Sequence, residues 1–250
     1  MKLGLISDVH ANLEALETVL GFFEKKEIDE IFCCGDLVGY GPEPGKVIEK
    51  LKARGAFSVR GNHDHLATKK RPPSNFNPKA ASAIEWTKEK LTSSQKSFLE
   101  DLNKFEKPKN SDIKASHGAF SDPLWGYVIR PSDAYLEFQK DEERPRYRLM
   151  GHSHLPVLYA YDGEDVSRHR PNENESFTFK KGERYIINPG SIGQPRDGNW
   201  KSSLAVMEFE NGEPHKVSFY RLSYPVEKTR EKILEAGLPK ELGDRLLSGR

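Results

Sequence analysis

The first sixty residues alternate short apolar runs with amphipathic ones, and that alternation restricts what the chain can fold into more than any other feature. LGLIS (3–7), EIFCC (30–34) and AFSVR (56–60) have the length and β-branched or aromatic content of strands. Helical stretches at about 12–26 and 44–54 separate them. Leu13, Leu16, Leu20 and Phe23 recur at helical spacing and form one apolar stripe, as expected of a helix lying on a sheet. Asn12 can cap that helix, and Pro44 suits the first turn of the next. Strands that alternate with helices predict a largely parallel sheet in this half.

The pattern then changes. Residues 65–76, HLATKKRPPSNF, are polar, basic and proline-broken and read as an exposed loop, with Lys69, Lys70 and Arg71 simply solvated. Asn77-Pro78 is a helix start, with Ala80, Ile84, Thr87 and Leu91 on one face. Thr92 and Gln95 are spaced as a capping box for a second helix, so 77–105 reads as a helical hairpin inserted in the α/β core. From about 112 short strands return: DIKASHG, RYRLMGHS, VLYAYDG, RYIINPG, LAVMEFENG and HKVSFYRLS, with a helix at about 131–140 and a hairpin turn at Asn211-Gly212. VEKTREKILEAG is amphipathic, and PKELGDRLLSG predicts a short final helix.

Charge narrows the function classes. The formal net charge of +1 provides no general field for nucleic acid or an anionic membrane. No stretch is apolar for long enough to span a bilayer, and the N-terminal apolar run breaks at Asp8, too soon for a signal peptide. Cys33 and Cys34 are the only cysteines and are adjacent, so no disulfide framework is expected and a reducing cytoplasm fits.

Polar residues cluster where the predicted strands end. Asp8 and His10 follow the first, Gly35-Asp36 the second, and Gly61-Asn62-His63-Asp64 the third; His117, His152 and His154 also follow strand-like runs. Each alone has an ordinary reading as turn chemistry or a satisfied histidine. Together, two aspartates, an asparagine and four histidines are the donor inventory of a two-metal oxygen and nitrogen site. In parallel sheets, ligands bind at the carboxyl ends of the strands, where such groups converge. Within GHSHLP (151–156), an extended backbone would aim His152 and His154 to the same side.

In order, SDVH, CGDLVGYGP, RGNHDH, SHGAF and GHSHLP, followed by NPGSIGQPR (188–196), resemble the sequence blocks of the calcineurin-like metallophosphoesterases, in their compact prokaryotic phosphodiesterase branch. The resemblance implies an α/β (α+β) fold, a four-layer αββα sandwich of two mixed β-sheets flanked by helices, as a single metallophosphoesterase domain over 1–250. It also implies two divalent metal ions, with manganese ahead of iron, zinc, nickel or magnesium. Asp8, His10 and His154 would hold one, Asn62, His117 and His152 the other, and Asp36 would bridge them. The implied reaction is in-line attack on phosphorus by a metal-bridging hydroxide, with His63 stabilising or protonating the departing oxygen. The expected partner is a small-molecule phosphoester or nucleotide; the sequence sets no oligomeric state.

One departure from the wider family bears on substrate. The eukaryotic serine/threonine phosphatases place an Asp-Arg pair after the GD block, where this chain has Gly39 and Tyr40. Losing that arginine favours a diester over a dianionic monoester, with Tyr40 and Arg60 as candidate substrate-binding residues and Arg196 as another. A dinucleoside polyphosphate hydrolase and a serine/threonine-type phosphatase are the alternatives, the second weakened by Gly39-Tyr40. A non-catalytic scaffold disagrees with a full set of ligand types and His63. Trp125, with Asp122 and Tyr127, could select substrate, although a tryptophan is more often core.

Overall fold

A computed structural model describes residues 1–69, 76–108, 112–140, 143 and 145–250. The alternation of the first sixty residues becomes β1 (Lys2–Ile6), α1 (Leu13–Lys25), β2 (Glu30–Cys33), α2 (Pro44–Ala53) and β3 (Phe57–Ser58). Pairing is parallel, β1 with β2 and β2 with β3. Asn12 caps α1 by accepting from the Ala15 amide at 3.2 Å, which satisfies one of the four unpaired donors of a helix start.

Three helices follow, α3 (Asn62–Thr68), α4 (Pro78–Lys90) and α5 (Ser93–Asp101). The capping residues read from the sequence act as such: Asn77 accepts from Lys79 and Ala80, while Thr92 and Gln95 bond reciprocally. Then come β4 (Phe105–Glu106), β5 (Ile113–Ser116), α6 (Pro131–Lys140), β6 (Tyr147–Leu149), β7 (Val157–Tyr161), β8 (Val166–His169), β9 (Ser176–Thr178) and β10 (Arg184–Asn188). The chain continues through β11 (Ser202–Glu210), β12 (Glu213–Leu222), α7 (Val226–Glu235), α8 (Lys240–Asp244) and a 3-10 turn (Arg245–Ser248).

Two six-stranded mixed sheets result, ordered β3-β2-β1-β11-β12-β9 and β4-β5-β6-β10-β7-β8. Alternation along β1 explains their stacking. Leu3 and Leu5 face the second sheet, packing with Ile113, Tyr147, Leu149 and Ile187, while Ile6 faces α1 and α2 and packs with Leu16, Phe23, Val47 and Ile48. On the far side α6 lays Ala134 and Phe138 on Tyr159 and Ile186. The result is the expected αββα sandwich, in which burying a side chain such as Leu16 or Phe23 contributes about 2 kcal/mol.

Two expectations need correcting. Residues 65–68 are not loop but the end of α3, because Leu66 and Ala67 are buried and the helix start is stabilised at Gly61, whose amide donates to Asp64 Oδ2 at 2.9 Å. The rest of that expected loop, 70–75, lies outside the described residues. Strands β4, β8 and β9 had no counterpart in the sequence reading. They are short, largely exposed edge-side segments, so apolar alternation does not mark them. No helix among the described residues is long and apolar enough to cross a membrane.

Candidate metal centre

Both sheets deliver their polar residues to one place. Asp8 and His10 follow β1, Asp36 follows β2, and Asn62 and His63 open α3 just after β3. From the second sheet, His117 follows β5, and His152 and His154 follow β6. All eight are buried.

The backbone there departs from extended geometry. Asp8, His10, Asp36, Tyr40, His152 and His154 all have φ between +48° and +64°, in the left-handed region. Each costs about 1–3 kcal/mol for a residue with a Cβ and persists only where its surroundings enforce it. Here the Asp8 and His10 amides donate to the Gly35 and Asp36 carbonyls at 3.0 Å, tying the β1 loop to the β2 loop. The His152 amide donates to Asp8 Oδ2 at 3.2 Å, tying one sheet to the other. GHSHLP is therefore not an extended segment. His152 and His154 reach the site through two left-handed residues, and simple alternation is not what aims them.

The donor atoms fall into two neighbouring groups. Asp8, His10 and His154 form one, with Asp8 Oδ1 at 3.3 Å from His154 Nε2 and 3.8 Å from His10 Nε2. Asp36, His117 and His152 form the other, joined by Asn62, whose Oδ1 lies 3.0 Å from His117 Nε2. Asp36 Oδ2 stands between them, 3.6 Å from His10 Nε2 and 3.3 Å from His117 Nε2. A His63 ring nitrogen comes within 4.8 Å of donor atoms of His10 and Asp36 and so stands beside the centre.

The outer ring nitrogens decide what these groups can hold. His10 Nδ1 faces the Val38 carbonyl at 3.1 Å, His154 Nδ1 that of Gln194 at 2.5 Å, and His117 Nδ1 that of Cys34 at 2.7 Å. His152 Nε2 faces the Trp125 carbonyl at 3.2 Å. A carbonyl only accepts, so each ring keeps a proton on the outer nitrogen and turns inward the nitrogen whose lone pair can bind a cation. Those inward atoms approach to 3.2 Å in the His10–His154 pair and 3.1 Å in the His117–His152 pair. Asp8 Oδ1 is buried without a hydrogen-bond partner. Converging lone pairs and an orphaned carboxylate oxygen are the complement of a cation, so the residues fit divalent metal ions.

Titration follows the same geometry. Burial pushes Asp8 well up and takes His10 and His154 well down. It lowers His152 to about 3 and His63 to about 4. Burial would also lower His117, but the Asp36 carboxylate, by charge and hydrogen bond, holds it at about 9. Asp36 in turn stays well below the usual carboxylate range because the His117 and His63 charges outweigh its burial.

The calcineurin-like phosphoesterase superfamily domain matches residues 1–212. The chain belongs to that superfamily. It is 34% identical over 251 residues, covering 99% of this chain and 98% of the other, to an uncharacterized Methanocaldococcus jannaschii protein, MJ0912. It is also similar to a solved metallophosphoesterase from Sphaerobacter thermophilus, with a TM-score of 0.88 and 36% identity over 100% of this chain and 99% of that one. A 74-residue segment is 36% identical to the Escherichia coli phosphodiesterase YfcE, covering 26% of this chain and 40% of that one. The chain is accordingly a phosphoester hydrolase.

In this phosphoesterase the centre floors a cavity of about 920 Å³. Tyr40 lines it, its ring 4.4 Å from that of His63 and 4.7 Å from that of His10. Arg60 does not line it. Its guanidinium donates to the Glu100 carbonyl and holds the β3 loop to α5, so this candidate substrate-binding residue is not brought to the cavity. Arg196 does line the cavity, donating to Gln194 Oε1 at 2.9 Å and reaching the Tyr40 hydroxyl at 3.5 Å. Trp125 is half-buried and lines the same space, not the core.

Sequence reasoning gave no role to Asp64 or Arg245. Asp64 accepts from the amides of Asp36, Leu37, Val38 and Gly61, at 2.9 to 3.2 Å. Its place three residues after Gly61, at a helix start, was the available signal. Arg245 lines the cavity from the 3-10 turn, distant in sequence from every motif, and nothing local marked it.

Proposed function

We propose that this phosphoesterase is a phosphodiesterase acting on small-molecule or nucleotide diesters through a dinuclear metal centre. The observation that carries the proposal is Asp36 Oδ2, which lies within 3.6 Å of an inward nitrogen from each of two separate ligand groups. Asp8, His10 and His154 would hold one ion, Asn62, His117 and His152 the other, and Asp36 both. Two divalent ions there, manganese being the first to try, supply charge to bind a phosphoryl group and acidify water for attack on phosphorus.

The chain's own residues supply the rest. The His63 amide donates to Asp36 Oδ1 at 2.9 Å, fixing the ring beside the centre. Its Nδ1 is buried without a partner beneath Gly39, so Nε2 is the ring atom available to the cavity. A Cβ at position 39 would lie 2.4 Å from that Nδ1, on a backbone at φ +89°. Glycine is thus what allows His63 its position. Held neutral by burial, the ring offers one N–H to the departing oxygen, and an anionic substrate draws its pKa back up.

A diester fits better than a monoester because Gly39 and Tyr40 occupy the positions at which protein phosphatases carry Asp-Arg. The name of YfcE, a phosphodiesterase, supports the same reading. Kinetics of the manganese-loaded chain on bis(p-nitrophenyl) phosphate and p-nitrophenyl phosphate test it. We expect the diester to have the higher kcat/KM; a preference for the monoester, or no turnover of either, would overturn the proposal.

A further inference from the structure

The cavity above the metal centre holds more positive charge than a simple diester can use. Arg196 and Arg245 both line it, and neither has an aspartate or glutamate partner among the described residues. Arg196 Nε is buried with no hydrogen-bond partner among the described residues. Arg245 donates through Nε to the main-chain oxygen of Arg250, and its other nitrogens have no partner among the described residues. The Glu241 carboxylate on the same rim is already taken by Lys79, at 3.0 Å. Burial and then the Arg196 charge lower the pKa of Arg245, so the two guanidinium groups repel each other.

That arrangement is built, not incidental. Leu238, Leu242 and Leu246 pack with Ala83 and Ile233, and Tyr40 and Trp86 pack against them, so a separate apolar cluster seats the C-terminal turn over the site. Gly249, at φ +63°, turns the chain where a Cβ would strike the Asn199 backbone at 2.5 Å. Its carbonyl accepts from the Gly198 amide at 2.9 Å. Arg245 lies beyond the residues that the superfamily domain covers, so it is an addition to the common site.

Charge arithmetic points to the ligand. Two divalent ions would be offset by the two ligand carboxylates, Asp8 and Asp36, and by the attacking hydroxide, leaving about +1, which the single charge of a phosphodiester already balances. Two guanidinium groups left unpaired in the same cavity would be costly unless the substrate brought further negative charge. The cavity also offers flat apolar surface. Phe76 and Trp125 stand edge to face with centroids 6.2 Å apart, and Tyr127, half exposed, lies 4.0 Å from the His152 ring. Aromatic faces of this kind take a nucleobase.

We infer that Arg196 and Arg245 form a second anion subsite beside the metal centre, and that the substrate is a nucleotide with at least two linked phosphoryl groups, its base on the Phe76–Trp125–Tyr127 surface. The inference rests on the diesterase reading of the same site and adds the substrate class to it. One phosphoryl group lies at the centre and its neighbour at the arginines.

Binding and turnover test it separately. Calorimetric titration of the metal-loaded chain compares α,β-methylene-ADP, which carries two phosphoryl groups, with AMP. We expect the methylene compound to bind about tenfold tighter, and Arg245→Met to remove most of that difference while Arg245→Lys restores part of it. Equal affinity for the two compounds in the unaltered chain, or an unchanged ratio in Arg245→Met, overturns the subsite. In turnover, the ratio of kcat/KM for diadenosine tetraphosphate to that for bis(p-nitrophenyl) phosphate should fall about tenfold in Arg245→Met, mainly through KM. A parallel loss on both substrates would make Arg245 structural and also overturn the proposal. If bis(p-nitrophenyl) phosphate is not hydrolysed at all, the diesterase reading fails, and the titration still decides the subsite.

Discussion

His63 is positioned by its backbone, its ring being free to act. Its amide is fixed to Asp36 Oδ1, and Nδ1 has no partner. Removing the ring should therefore leave the ligand groups in place. His63→Ala is expected to retain its metal content while turnover of a diester with a poor leaving group, such as an alkyl ester, falls about 100-fold or more. Loss on p-nitrophenyl esters should be smaller, because that phenolate needs little help to leave. Metal analysis beside kinetics on both leaving groups checks this, and equal losses on the two esters would remove His63 from the departing oxygen. The residues of the site were legible in sequence because each chemical type recurs where a strand ends. Their aim was not. Six of the cavity and centre residues adopt left-handed backbone, which no spacing rule foresees, and Arg60 carried the right charge with its side chain committed to the Glu100 carbonyl.

At the scale of elements, α3 joins fold and site. Its first turn contains Asn62, His63 and Asp64, and the Asp64 carboxylate collects four main-chain donors from the β2 and β3 loops. The Asp36 loop thus takes its shape from a side chain of the next loop. A Cβ at Gly61 would lie 2.0 Å from Asp36 Oδ1, which shows how closely the two loops meet. Asp64→Ala would strand several buried donors, each costing about 1–3 kcal/mol. We expect destabilisation of about 3 kcal/mol or more together with lost metal binding, read from the urea midpoint and from metal stoichiometry. Asp64→Asn, which keeps two lone pairs, should lose less; a stable Asp64→Ala chain with full metal content would refute the role. Amphipathic periodicity and capping residues made α1, α2, α4 and α5 readable. The 62–68 segment was not, because three of its seven residues, Asn62, His63 and Asp64, are polar side chains buried at the site or its loops.

The whole molecule is a pair of sheets whose parallel strand ends meet across a seam, and the centre sits on that seam. Asp8 and Asp36 come from one sheet, His117, His152 and His154 from the other, so bound cations would tie the halves together. Sheet order was beyond the sequence, since β9 and β8, the far edges, are too polar and short to announce themselves. Metal binding should also be linked to pH in a definite direction. His10, His152 and His154 are held neutral by burial and have no proton to give up. His117, held at about 9 by Asp36, carries a proton at neutral pH that a cation must displace, and Asp8, pushed up by burial, acts in the same sense. Affinity is therefore greatest above the His117 pKa and falls as pH drops below it. One displaced proton makes it about 100-fold weaker at pH 6 than at pH 8. Cations that bind only the folded chain raise its stability by mass action, so the Tm difference between manganese-loaded and chelator-treated protein should be wider at pH 8 than at pH 6. Comparing the two forms at each pH cancels the pH dependence of the metal-free chain itself. A Tm difference that stays constant, or widens as pH falls, would show that His117 does not exchange its proton for the metal.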